Sequence, residues 1–264
     1  MAKPFLKWVG GKRQLLPIIS ENLPSLDDID VYIEPFVGGG AVLFDILSKK
    51  KFTRVVISDI NPELTLCYQM LRDENKSLIR EFNLFTRNWP SDDDERKKQY
   101  YEHRVFWNQN LSIVEKGSIG QKIKRAALTM FLNRVCFNGL FRVNSKGEFN
   151  VPIGSYKKPS FPSDEELVAV GEILQNVEIL TGDYSQVLGY VTKRTFVYFD
   201  PPYRPLSSSS SFTSYSKSSF NDSNQTELAN FYSEISTTGA KLMLSNSDPK
   251  NTDVEDNFFD ILYS

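Results

Sequence analysis

Short apolar runs bounded by turn-formers recur along this chain, and longer stretches with helical spacing lie between them. Residues 31–36, 54–58, 177–181, 195–199 and 240–245 are rich in β-branched and aromatic side chains, the composition of buried strands. The first of these gives way to Val37-Gly38-Gly39-Gly40 and an apolar helical pattern through residue 47, a strand–glycine turn–helix order. Asn61-Pro62-Glu63 reads as a helix start, with Asn61 as the cap and Pro62 in the first turn. From there the strand rhythm stops: mixed-charge helical patterns run to residue 110, and 119–135 is a more buried helix. A stretch of that length is no loop in a compact domain. The pattern predicts an α/β fold in which a mainly helical insertion, 62–176, divides a sheet-forming domain made of 1–61 and 177–264. An amphipathic helix over 222–236 precedes strand 240–245, and one more strand is expected near Phe258.

Composition narrows the function classes. At 264 residues the chain can hold one sizeable α/β domain and a smaller one. A net charge of −2 gives no global sign of a nucleic-acid binder, so any such contact has to come from local patches. Cys67, Cys136 and the single His103 have no metal-ligand spacing; no metal and no disulfide framework are expected, and reduced thiols fit a cytoplasmic protein. No apolar run approaches the ~18 residues of a membrane span.

The candidate chemistry gathers at the end of run 195–199, which leads into Asp200-Pro201-Pro202-Tyr203. Two prolines forbid helix and fix the backbone there. The Asp200 carboxylate and the Pro201 carbonyl are both acceptors, so together they can hold both hydrogens of an exocyclic amino group while Tyr203 stacks on its ring. Holding an aromatic amine that way favours the pyramidal geometry that frees its lone pair and stabilises the positive charge of attack. A plain tight turn after a core strand is the alternative. Asp59, nineteen residues after Gly40, suits the carboxylate that binds ribose hydroxyls, with a helix cap as the other reading. Asp183-Tyr184 closes run 177–181 and suits the amino group and face of an adenine ring, or is surface loop. Gly10-Gly11-Lys12 lacks the first glycine of a P-loop and carries Arg13 where Ser or Thr would stand, but it can present Trp8 and Lys12 to a ligand. Lys122, Lys124, Arg125, Arg134, Arg142, Lys146, Lys157 and Lys158, interleaved with Phe137, Phe141, Phe149 and Tyr156, suit contact with DNA backbone and bases, although such runs are usually solvated faces. The serine-rich segment 205–220 is expected to be a lid beside the Asp200 corner.

Five motifs occur in one order: Phe5-Leu-Lys-Trp-Val-Gly-Gly-Lys12, Glu34-Pro-Phe-Val-Gly-Gly-Gly40, Asn138-Gly-Leu-Phe-Arg142, Gly147-Glu-Phe-Asn-Val-Pro152 and Asp200-Pro-Pro-Tyr203. With them the chain resembles, along essentially its whole length, DNA adenine N6-methyltransferases of the Dam type. The resemblance implies a Rossmann-like S-adenosyl-L-methionine-dependent sheet with an inserted target-recognition subdomain, acting on double-stranded DNA as a monomer. It implies Asp200, Pro201, Pro202 and Tyr203 as catalytic residues around an adenine flipped from the duplex. It also implies Trp8, Lys12, Glu34, Phe36, Gly38, Gly39, Gly40, Asp59, Asp183, Tyr184 and Asp200 at S-adenosyl-L-methionine. For DNA it points to Lys7, Arg134, Phe137, Asn138, Leu140, Arg142, Pro152 and Tyr156, with GATC as the target, and to a cognate restriction endonuclease as a functional partner. Family members continue past the strand near Phe258 into a closing β-hairpin; here the chain stops at Ser264, so an exposed sheet edge with lowered stability or activity is expected. An amino-methyltransferase for RNA or protein, a DNA-binding module with little turnover, and more remotely a dehydrogenase are the alternatives.

Overall fold

The computed structural model describes residues 2–204 and 220–263. Five strands, β1 (Val31–Glu34), β2 (Arg54–Asp59), β3 (Val177–Thr181), β4 (Thr195–Phe199) and β5 (Lys241–Leu244), form one sheet in the order β3-β2-β1-β4-β5, every pair parallel. Strand β1 is two residues shorter than the run that predicts it. Pro35 has no amide hydrogen for the ladder, and the chain turns there.

Alternation along the strands sorts side chains to the two faces. Ile33, opposite Val56 on one side and Val197 on the other, points with both of them toward α9 (Asp222–Ser236), whose Leu228, Phe231 and Ile235 complete that layer. Tyr32, Val55, Ile57 and Phe196 point the other way, into a larger core shared with α2 (Ala41–Lys49) and α3 (Pro62–Asp73). Burial on both faces is why these strands read as near-continuous apolar runs.

Between β2 and β3 stand α3, α4 (Asn75–Arg87), α5 (Asp93–Gln109), α6 (Ile113–Lys116), α7 (Ile119–Val135) and α8 (Asp164–Leu174). Asn61 caps α3 by accepting from the amides of Glu63 and Leu64, and Ser118 with Gln121 forms a capping box on α7. One continuous cluster of buried side chains runs from the sheet through α3 and α7 to α5. At its centre lies an ion pair: Arg125 of α7 grips Glu63 with Nε at 3.0 Å and Nη2 at 2.5 Å, and its guanidinium lies 3.7 Å from the Trp107 ring. Its side chain is 1% exposed, so it leaves the candidate DNA contacts.

The chain before β1 forms a short helix, α1 (Leu16–Glu21), and the last described element is also helical: α10 (Phe258–Leu262) stands where a strand was expected. The aromatic run there makes edge-to-face ring contacts, Phe258 with Phe259 and Tyr263 with Tyr232, rather than joining the edge of β5. Of the expected lid, 205–220, all but Phe220 lies outside the described residues. No helix among the described residues is long and apolar enough to cross a membrane, and none of their His, Cys, Asp and Glu side chains cluster as a metal site would require.

Candidate active site

The helices that follow β1 and β4, α2 and α9, pack on opposite faces of the sheet, so the carboxyl ends of β1 and β4 meet at a topological switch point, where open α/β sheets bind ligands. A cleft of about 790 Å³ opens there. Its walls come from segments far apart in sequence: Trp8 to Lys12, Glu34 to Val42, Asp59 to Asn61, Gly182 to Tyr184, and Asp200 to Arg204. Every residue expected at a cofactor or at the reacting amine lines this one space.

The glycine loop admits close approach. A side chain on Gly38 or Gly39 would meet Trp8 at 3.1 Å, so the indole lies directly across that backbone. Gly40 has φ +73°, and a Cβ there would stand 2.5 Å from the Tyr68 hydroxyl. That hydroxyl in turn donates to the Gly38 carbonyl at 3.0 Å and fixes the turn. Asp59 accepts from the amide of Gly38 (3.1 Å) and from that of Asn61 (2.9 Å). It therefore anchors the glycine loop to the end of β2 while still lining the cleft. Burial pushes its carboxyl up to about 6, against those two amide donors. Glu34, at the end of β1, is 2% exposed and its Oε2 has no hydrogen-bond partner; burial first, and the Asp200 charge nearby, raise it well above the usual carboxylate range. Phe36 packs on Tyr184 with ring centroids 5.2 Å apart, while Asp183 caps the turn after β3 through the Ser185 amide.

At the end of β4, Asp200 meets Lys12, which is 4% exposed: Nζ lies 2.5 Å from Oδ1 and 4.6 Å from the centre of the Tyr203 ring. The two form an ion pair, and Lys12 also donates to the Gly10 carbonyl at 2.8 Å. Burial raises Asp200 to about 6, and Lys12 opposes that shift. Tyr203 keeps 39% of its surface exposed, so one ring face is open to a planar partner. The Pro202 carbonyl accepts from Gln225 Nε2 at 3.0 Å, whereas the Pro201 carbonyl has no donor among the described residues.

A second surface forms beside the cleft from residues 136–154. The segment folds back on itself through antiparallel bridges Cys136–Ile153 and Val143–Phe149, and rests on α5 through Tyr100 and Asn108. Phe137 is 49% exposed, and Asn138 beside it holds φ +52°, a conformation rare outside glycine and met at sites under functional constraint. The Phe137 amide donates to the Pro152 carbonyl, and Arg142 donates from Nε to Asn150 Oδ1 at 2.7 Å. Leu140 packs inward against the core, and Lys7 lies 4.1 Å over the Tyr156 ring. Arg134 departs from expectation. Its guanidinium donates to the carbonyls of Phe5 (2.6 Å) and Ser160 (3.4 Å), so it pins the N-terminal segment to α7 instead of standing free for a phosphate.

The buried Asn133, which the sequence reading passed over, organises this junction: it accepts from the Lys7 amide and donates to the carbonyls of Lys7 and Gly139, each at 2.8 Å. An amide side chain inside an otherwise apolar helical stripe was the available signal. Ser247, which lines the cleft, and Gln225, buried behind it against the Pro202 carbonyl, were missed as well, because only the three-dimensional pairing of α9 with the strand ends brings them there.

The family model described as the D12 class N6 adenine-specific DNA methyltransferase matches residues 8–264. The chain belongs to this family. As a D12 methyltransferase it is an adenine-specific DNA-modifying enzyme. It is 50% identical over 249 residues to the type II methyltransferase M.MjaIII of Methanocaldococcus jannaschii, covering 93% of this chain and 84% of that one. The type II methyltransferase M1.LlaDCHI of Lactococcus lactis subsp. cremoris is 39% identical over 247 residues, 93% and 81% of the two chains. A DNA adenine methylase of Vibrio cholerae is 34% identical over 251 residues, 95% and 83%.

Proposed function

We propose that this D12 methyltransferase moves a methyl group from S-adenosyl-L-methionine to N6 of an adenine flipped out of double-stranded DNA, with GATC as its target. The observation that carries the reading is the shared cleft: the glycine loop with Asp59 and the Asp200-Pro201-Pro202-Tyr203 corner open into one space. Its volume, about 790 Å³, lies in the range of sites for sizeable ligands. The donor set fits such a cofactor: glycine backbone lining the cleft, a carboxyl at the end of β2 for ribose hydroxyls, aromatic Phe36 and Tyr184 for a purine, and the unpartnered Glu34 Oε2 as a buried polar anchor. When bound, that cofactor supplies a methyl group already activated by a sulfonium.

The chain's own residues prepare the amine. Asp200 through its second oxygen and Pro201 through its carbonyl accept the two N6 hydrogens, which localises the nitrogen lone pair and offsets the positive charge that grows there. Lys12 holds Asp200 ionised from the first oxygen. Tyr203 stacks on the extruded ring. On the DNA side, Phe137 and Asn138 fill the space the base leaves, Lys7, Leu140, Pro152 and Tyr156 shape the groove contact, and Arg142 reads a guanine. The type II methyltransferases among its relatives suggest service beside a restriction endonuclease of the same specificity.

Methyl transfer from labelled S-adenosyl-L-methionine to a duplex library, followed by sequencing of modified sites, tests this. Modification confined to GATC adenines and lost in Asp200→Ala is expected. Transfer to another sequence overturns the target, and transfer that survives Asp200→Ala overturns the assigned chemistry.

A further inference from the structure

The two prolines of the corner create a mechanical difficulty. With no amide hydrogen at 201 or 202, two successive positions of the corner have no donor of their own to tie them down. They have to be held through carbonyls and side chains from outside. The structure shows one side chain placed for that task. Gln225, in the first turns of α9, is wholly buried; its Nε2 donates to the Pro202 carbonyl at 3.0 Å, and its Oε1 accepts from Asn246 Nδ2 at 3.2 Å. Asn246 lies just beyond β5, so the amide bridges the ends of two neighbouring strands, and the Asn246 bond sets which way Gln225 faces. The same helix grips the residue after the corner: Arg204 pairs bidentately with Asp222 at 2.8 and 3.0 Å.

We propose that Gln225 is a positioning residue for methyl transfer: by capping the Pro202 carbonyl it fixes the corner so that Asp200 and the Pro201 carbonyl, which has no donor among the described residues, face the target amine together. Gln225 touches neither substrate nor cofactor and acts only through the corner. The inference rests on the reading of Asp200 and Pro201 as the acceptors of the N6 hydrogens.

Gln225→Met keeps most of the volume but has no amide, and Gln225→Glu keeps the shape and the acceptor for Asn246 while removing the donor toward Pro202. An ångström of misplacement costs a reacting site up to about 100-fold. We expect kcat to fall about 10- to 100-fold in both variants, with the Kd values for S-adenosyl-L-methionine and for target duplex unchanged. Asn246→Ala, which frees the Gln225 amide from outside α9, should lower kcat by a smaller factor and in the same pattern; it carries the test if the Gln225 variants do not fold. Unchanged kcat, or losses in Kd matching those in kcat, would overturn the proposal. Asp200→Ala run alongside separates the two failures. If it remains active, the reading of the corner itself is wrong; if it is dead while Gln225→Met turns over normally, only the role of Gln225 falls.

Discussion

Arg125→Met is the sharpest perturbation of the architecture behind the site. The substitution removes the three bonds to Glu63 and the donors to the carbonyls of Trp107 and Asn110, where α5 ends. Glu63, 7% exposed, is then left without its cation. Breaking one side of a buried pair costs about 3–5 kcal/mol, mostly the penalty of the stranded charge. For a chain of this size that corresponds to a fall in Tm of roughly 10 °C. Burial already holds the Glu63 carboxyl above its ordinary value even with Arg125 present, and the variant raises it further. A raised folded-state pKa means stability that is present at acid pH and lost as pH climbs, so the penalty should be large at pH 8 and shrink toward pH 5. Urea unfolding of wild type, Arg125→Met, Glu63→Met and the double variant at both pH values provides the cycle. The double variant should recover much of the loss, since an apolar pair of similar volume replaces a desolvated ionic one. A single-variant loss below about 1 kcal/mol at both pH values, or a double variant as unstable as the sum, would refute the reasoning.

Three further outcomes follow from the site. Arg142→Ala should cost about 1–3 kcal/mol of discrimination at one guanine, read as relative rates on GATC and on duplexes altered at a single guanine, with little change in salt dependence; equal loss on every sequence would mean that Arg142 grips only phosphate. With Asp200 raised to about 6, single-turnover rates should drop about tenfold for each pH unit well below 6 and level off above 7, and a flat profile from pH 5 to 8 would remove the need for an ionised Asp200. Stability runs the other way, because a carboxyl raised from 3.8 to about 6 contributes most below its unfolded value and loses that contribution as pH rises through 6. Gly40→Ala puts a Cβ in a left-handed conformation 2.5 Å from the Tyr68 hydroxyl and should destabilise by about 2 kcal/mol in thermal unfolding; adding Tyr68→Phe should return part of it, and no return would show that the contact is not the cause.

Local chemistry made much of this fold legible before any coordinates. Strands β2 to β4 and the helices over 119–135 and 222–236 announce themselves because both faces of a parallel sheet, or one stripe of a packed helix, have to be apolar. The Asp200 corner and the glycine loop stand out for the same reason: proline and glycine encode backbone constraint directly. What stayed hidden depends on partners distant in sequence. Nothing near Arg125 says that Glu63, sixty-two positions away, will neutralise it, so a basic run was read as surface. Arg134 misleads likewise, since its acceptors are main-chain carbonyls, which carry no sequence signal. The run at 258–262 is apolar enough for a strand, but in a stretch that short only its tertiary neighbours decide, and they give a helix.

The prolines after β4 have a consequence for the sheet beside the cleft. The last rung joining β4 to its neighbour is the Ser245 amide on the Phe199 carbonyl, at 2.9 Å. Two residues further on, at Pro201 and Pro202, the chain reaches positions that offer no hydrogen for another rung. From the β4 side no further rung can be donated at these two positions. Both prolines line the cleft, so the place where this ladder stops is set by the covalent chain itself.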